Sequence, residues 1–227
     1  MEKITVEIYL RLMTLRYLTP DQLIARHPAG GVTYLMRHAE RVAFEKPGDV
    51  IFAVLTENGI EQARRFGAAM AQTIKIGRVN SSPLKRCVDT GKLILEGAGE
   101  NLAIHSHWWL FSPFLRVQHQ DRQGVAVWPV EPTDRPDATY LNENLEILSR
   151  RIHTPINSGE IYLYIAHDTT ILPFLAYLLG INRVDMNQIP DYQEGIALIR
   201  KDGRVALDDP AYYNPAYYNP AYYNPAD

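Results

Sequence analysis

Tyr34-Leu35-Met36-Arg37-His38-Ala39-Glu40-Arg41 starts apolar and ends in a crowd of charge. With Val32 and Thr33 before it and the pair Gly30-Gly31 before those, the apolar half has the look of a buried strand, rich in β-branched and aromatic residues and bounded by glycine. Arg37 and His38 then stand at the carboxyl end of that strand, the edge where ligands bind in open α/β sheets. A guanidinium cannot shed its proton, and its fork of donors fits phosphate oxygens. Two arginines around a histidine therefore suit an anion. A surface loop with a salt bridge to Glu40 is the plainer alternative.

Working outward, two later strand ends carry similar groups. Ile76 to Asn80 is a short strand candidate, closed by Ser81-Ser82-Pro83, and Leu84 to Glu96 has helical character. Arg86 falls in the first turn or so of that helix, beside a terminus that itself favours anions. Pairing with Asp89 is its structural alternative. Ile161 to Ala166 is almost wholly apolar and ends in His167-Asp168-Thr169-Thr170, from which an apolar helix runs to Leu179. Between the first two strands, Thr56 caps a helix over Gly59 to Ala71 whose inner face is Ile60, Ala63, Phe66, Gly67 and Met70. Leu141 to His153 is a further helix with Leu145, Leu148 and Ile152 inward. Ile196 to Ile199 and Val205 to Leu207 form a hairpin through Asp202-Gly203. Alternating strands and helices predict a three-layer α/β/α sandwich with a mostly parallel central sheet. Its three charged strand ends then meet on one edge, bringing Arg37, Arg41, Arg86, His38, His167 and Asp168 around a common point.

Two flanking segments lie outside that pattern. Residues 1–29 are a helical N-terminal extension: apolar spacing suggests a helix to Tyr17, and Thr19-Pro20-Asp21 starts another ending near Arg26 or His27. Residues 30–209 form the main domain. Residues 210–227 are a tail in which Ala-Tyr-Tyr-Asn-Pro occurs at 211–215, 216–220 and 221–225. The extension and the tail are the segments through which a homo-oligomer could form. Asn101 to Tyr140 is irregular, holds all three tryptophans, and is suited to shaping substrate specificity. His105 and His107 could share one strand face, but no carboxylate or cysteine at useful spacing supports a metal, so no metal or cofactor is expected.

Composition narrows the classes. The chain has 227 residues, ample for one core, and a formal charge of -3, with no basic excess for nucleic acid. No apolar run approaches the ~18 residues of a membrane span. One cysteine, Cys87, permits no internal disulfide; it is expected packed behind the pocket. Arg11 and Arg16 interrupt the N-terminal apolar stretch, which therefore does not have the form of a secretory signal. A cytoplasmic protein is the expectation.

The motifs resemble the histidine phosphatase superfamily, the fold shared by phosphoglycerate mutases and histidine acid phosphatases. The carriers are Arg37-His38-Ala39-Glu40-Arg41, Leu55-Thr56 with Gly59 and Gln62-Ala63, Ser81-Ser82-Pro83 with Arg86-Cys87 and Thr90, and Ala166-His167-Asp168-Thr169-Thr170. The resemblance implies that His38 is the nucleophile, that Arg37, Arg41, Arg86 and His167 hold the phosphate, and that Asp168 protonates the leaving oxygen. Arg37, Arg86 and His167 thereby also belong to the catalytic set. Glu40 sits with the phosphate-binding loop and is expected to orient an arginine. Mutase-type members carry a glutamate some 20–30 residues after the second-motif arginine, whereas Leu102 to Arg116 holds no acid. That points to the acid-phosphatase branch, although Ala39 and Ala43 stand where that branch commonly has glycine and proline. The implied activity is metal-independent hydrolysis of a phosphorylated small molecule or phosphopeptide. A mutase-like phosphotransferase is the alternative, or a non-catalytic phosphate-binding protein that docks through its tyrosine tail.

Overall fold

The computed structural model describes residues 15–43, 49, 51–111, 125–127, 145–156, 158–179, 183–185, 188–201 and 203–208. In chain order its elements are α1 (Pro20–Arg26), β1 (Val32–Arg37), α2 (Glu57–Ala71), β2 (Lys75–Ser81), α3 (Lys85–Ala98), β3 (Ile104–Ser106), a 3-10 turn at Trp108–Leu110, β4 (Val125–Val127), α4 (residues 145–151), β5 (Glu160–Ala166), α5 (Asp168–Leu179), β6 (Arg183–Asp185), β7 (Gly195–Lys201) and β8 (Arg204–Leu207).

All six residues of β1 are buried because it lies inside the sheet with a partner on each side. β5 runs parallel to it, from Val32 beside Ile161 to Arg37 beside Ala166, and β7 runs antiparallel on the other flank. The six-stranded order is β3-β2-β5-β1-β7-β8. β3, β2, β5 and β1 are mutually parallel, and the expected β7–β8 hairpin closes the sheet with antiparallel pairing. The α/β class holds; the sheet is mixed and mostly parallel, flanked by helices. β4 and β6 form a separate antiparallel pair that no sequence signal announced.

The period of two along β1 and β5 sorts their side chains into two cores. Val32, Tyr34 and Met36 join Leu163 and Ile165 under α2 and α3, where Phe66, Met70 and Ile94 complete the packing. Leu35 joins Tyr164 and Ala166 under α4 and α5, with Leu145, Leu148, Ile152, Ile171 and Phe174. Each large apolar side chain so buried contributes roughly 1.5–3 kcal/mol. α2 and α3 approach so closely that a Cβ on Gly67 would sit 1.9 Å from the Ile94 carbonyl oxygen.

The local signals behaved as their chemistry dictates, with small boundary shifts. Thr56 Oγ1 accepts from Gly59 N at 3.0 Å, and α2 begins at Glu57, two residues before the expected start. Thr19 and Gln22 form a capping box on α1. α3 stops at Gly99, which adopts φ 69°.

The N-terminal expectation needs correction. Residues 15–17 are not helical, and the segment does not lie apart from the sheet: Leu18 pairs with Gly195 at the start of β7. The rest of the expected first helix, the tyrosine repeats at 211–225, and the expected specificity region beyond Phe111, apart from β4, lie outside the described residues. Among the described residues no helix is long and apolar enough to cross a membrane.

Candidate active site

Sheet register creates the site. Arg37 stands beside Ala166, Ile165 beside Ser81, and Ser81 beside Ser106. The residues that follow β1, β2 and β5 therefore leave one edge side by side: His38, Ser82 and His167. α3 starts just past Ser82 and sends Arg86 back across that edge.

His38 is 2% exposed and both its ring nitrogens are engaged. Nδ1 lies 2.8 Å from the Ala39 carbonyl oxygen, which can only accept. Arg86 Nε donates to Nε2 at 3.0 Å. These partners fix the tautomer: the proton sits on Nδ1, and Nε2 presents a lone pair. His167 is fixed by the same logic. Its Nδ1 accepts from Arg86 Nη2 at 3.2 Å, and its Nε2 donates to Ser82 Oγ at 2.9 Å. The two rings meet edge to face with centroids 5.4 Å apart, and one guanidinium thus orients both.

The electrostatics favour neutral imidazoles. Burial, followed by the charges of Arg86, Arg37 and Arg41, pulls the His38 pKa down to about 3 against the opposing pull of the Ala39 hydrogen bond. Burial, with His38 and the same arginines, holds His167 well below the usual histidine range. Arg86 is itself pulled below the ordinary arginine value by burial. Buried guanidiniums thus stand beside two neutral bases.

Around this core, Arg37 Nη2 contacts Asp168 Oδ2 at 2.7 Å, and its Nη1 donates to the Pro190 carbonyl at 2.7 Å. Asp168 opens α5, and its Oδ1 accepts from Thr169 N at 2.7 Å. Arg41 is half-buried; its Nη1 donates to the Val42 carbonyl at 3.0 Å, while its charge reaches His38, Arg86 and His167. Thr90 ties the loop to α3, accepting from Ala39 N at 3.0 Å and donating to the Arg86 carbonyl at 2.7 Å.

Arg37, His38, Arg86, His167 and Asp168 are therefore brought together. Glu40 takes a different position: its carboxylate accepts from the Asn58 amide on the first turn of α2. The alternative pairing of Arg86 with Asp89 fails, because Asp89 pairs with Lys85 one turn away. Cys87 is fully buried with Sγ 3.6 Å from His167 Nε2, and burial raises its pKa to about 12, so it stays a packed thiol. The two-histidine face on β3 does not form: the strand ends at Ser106, and His107 stacks on Trp109 and meets Asn80 Oδ1 at 3.1 Å. Among the described residues no group of three or more His, Cys, Asp or Glu could hold a metal.

Two site features escaped the sequence reading. Tyr192 places its ring 4.3 Å from the Arg37 guanidinium carbon and 5.8 Å from the His38 ring. Phe111 sets its ring edge-on to His167 at 5.8 Å. Pro190-Asp191 is recognisable as a turn, but nothing in the sequence connects it to Arg37.

Residues 33–109 match the model of the histidine phosphatase superfamily (branch 1). That span holds the Arg37–Arg41, Thr56–Gly59 and Ser81–Thr90 motifs; His167 and Asp168 lie beyond it. The match is to branch 1 and not to the acid-phosphatase branch, which had been expected because Leu102 to Arg116 holds no acid and Asp168 stands beside His167. No curated protein matches the chain. Among solved structures, phosphoserine phosphatase of Entamoeba histolytica in complex with 3-phosphoglyceric acid is similar, with TM-score 0.52, 17% identity, and coverage of 78% of this chain and 95% of that one. Phosphoglycerate mutase from Bacillus anthracis has TM-score 0.50 and 15% identity, covering 81% and 95%. A mutant of the Entamoeba histolytica enzyme in complex with phosphoserine has TM-score 0.50 and 16% identity, covering 78% and 95%. At these identities the likeness is one of fold.

Proposed function

We propose that this chain is a histidine phosphatase that hydrolyses phosphate monoesters through a phosphohistidine on His38. The observation that carries the reading is the His38 tautomer: a lone pair on Nε2, held 3.0 Å from Arg86 Nε within a cradle of Arg37, Arg86 and His167. Phosphoryl transfer asks mainly for alignment and for charge stabilisation of the equatorial oxygens. Fixed guanidiniums can supply both.

In the proposed first step Arg86 Nε turns its N–H from Nε2 to a phosphate oxygen, the freed Nε2 lone pair attacks phosphorus, and the bond to the leaving oxygen breaks. Asp168, on the strand end next to His38, gives that oxygen its proton. The ring keeps its Nδ1 proton, and the Ala39 carbonyl at 2.8 Å stabilises the positive charge that develops there. In the second step Asp168 takes a proton from water as the water attacks phosphorus, releasing inorganic phosphate and restoring His38. Arg41 adds to the positive field from the loop. The substrate class is a phosphorylated small molecule or phosphopeptide; phosphoserine and 3-phosphoglyceric acid, the ligands named for the Entamoeba histolytica enzyme, are natural first candidates.

The test is a quenched reaction with labelled aryl phosphate in the presence of a chelator. An acid-labile phosphoryl group on His38 and release of phosphate are expected. Full activity in His38→Ala would overturn the reading.

A further inference from the structure

Besides its contact with Asp168 at 2.7 Å, Arg37 is gripped by groups outside every motif singled out in the sequence. Its Nη1 donates to the Pro190 carbonyl at 2.7 Å, and the face of Tyr192 lies 4.3 Å from its guanidinium carbon. Both contacts come from one turn, residues 190–193. Arg37 Nε is buried without a hydrogen-bond partner. A ring face attracts a cation through its quadrupole without consuming an N–H. It can therefore hold a guanidinium while leaving donors for an incoming anion.

The turn is itself held firmly. Gln193 N donates to the His38 carbonyl at 3.4 Å, and Arg37 N donates to the Glu194 carbonyl at 2.9 Å. Gln193 adopts φ 63°, a left-handed conformation disfavoured for any residue with a Cβ. Such a conformation persists where surrounding structure over-determines it, often at functional sites. Here the N-terminal segment supplies that support. Leu18 exchanges hydrogen bonds with Gly195 at 2.8 and 3.1 Å. The buried Tyr34 hydroxyl shares its proton between the carbonyls of Leu18 and Gln193, at 2.6 and 2.8 Å. Tyr17 donates to the Gln188 carbonyl at 2.8 Å.

We propose that Tyr192 is a positioning residue of the phosphate site, its ring keeping the Arg37 guanidinium oriented toward the oxyanion at His38. The inference rests on the phosphatase reading. Its physical content is preorganisation: an arginine frozen before the anion arrives loses less rotamer freedom on binding it.

The experiment is a double-mutant cycle between positions 192 and 37, read by inorganic phosphate affinity and by kcat/KM on an aryl phosphate. Tyr192→Leu should weaken phosphate binding and lower kcat/KM by about tenfold, and Tyr192→Phe should recover most of that loss. In an Arg37→Ala background the same Tyr192→Leu change should cost less than about twofold. Tyr192→Met, bulky but without a ring face, replaces the leucine variant if that one does not fold. An equal loss in both backgrounds, or no loss with Arg37 intact, overturns the proposal. Coupling in phosphate binding without hydrolysis would remove the phosphatase reading and leave Tyr192 in its role. Hydrolysis through His38 with no coupling would remove Tyr192 alone.

Discussion

Replacing Gly59 with alanine sets two effects of known size against each other. Gly59 lies in the first turn of α2, and alanine there should gain up to about 1 kcal/mol of helix propensity. The added Cβ, however, would sit 2.2 Å from the Glu40 carbonyl oxygen and 2.9 Å from Glu40 N. Ordinary contact is about 3.5 Å, so the helix and the loop must part by more than about 1 Å. Glu40 cannot yield alone, because its carbonyl accepts from Thr56 N at 3.0 Å and its carboxylate holds Asn58. Both contacts lead back to the first turn of α2. The strain therefore passes along the loop to His38 and Arg41. Overpacking of this kind costs about 1–3 kcal/mol, which outweighs the propensity gain. A displacement of about 1 Å near the reacting atoms costs on the order of 100-fold in rate. The expected Gly59→Ala protein unfolds at a lower temperature than wild type and loses on the order of 100-fold in kcat/KM on an aryl phosphate. The two assays are thermal unfolding by circular dichroism and steady-state kinetics. A variant as active as wild type and at least as stable would refute the argument that this contact sets the loop path.

The histidines make a separate prediction about pH. With a folded pKa of about 3 against about 6.5 unfolded, His38 stays neutral in the native state while the unfolded chain gains a proton below pH 6.5. The stability this represents is complete above the unfolded pKa and is lost as pH falls toward 3, on the order of 5 kcal/mol over the interval. The His38 ring should therefore keep its Nδ1–H signature by nitrogen NMR from pH 8 to 5, and His38→Gln should flatten the acid limb of the stability curve; a His38 titration midpoint near 6.5 would refute this. Asp168→Asn is expected to slow an alkyl phosphate, whose leaving oxygen needs a proton, by 10-fold or more beyond its effect on p-nitrophenyl phosphate, on the scale of a lost general acid. Equal losses on both substrates would remove Asp168 as proton donor.

Much of the molecule was legible from local chemistry. The apolar run ending at Arg37 needed a strand buried on both faces, and β1 is that strand. Thr56 and Thr19 marked their helix starts because a hydroxyl cap acts within a single turn. The encounter of Arg37, His38, Arg86 and His167 could be anticipated because parallel strands joined by helices put their carboxyl ends on one edge. What sequence spacing could not supply was anything carried by long-range register. Leu18 pairs with Gly195 far along the chain, a contact that no local spacing announces. Glu40 accepts from Asn58 on α2, a partner that no spacing in the sequence announced.

The sequence alone determined which groups carry the chemistry: residue type at a strand end decides which proton or charge is on offer. Only the tertiary structure decided their state and aim. The tautomer of His38 follows from Ala39 on one side and Arg86 on the other. The set of Arg37 follows from Asp168, Pro190 and Tyr192. Apart from Ala39, these partners arrive from helices and a turn elsewhere in the chain. A hydrogen bond or ring contact depends on distances of a few ångströms, and those are fixed by how the elements pack.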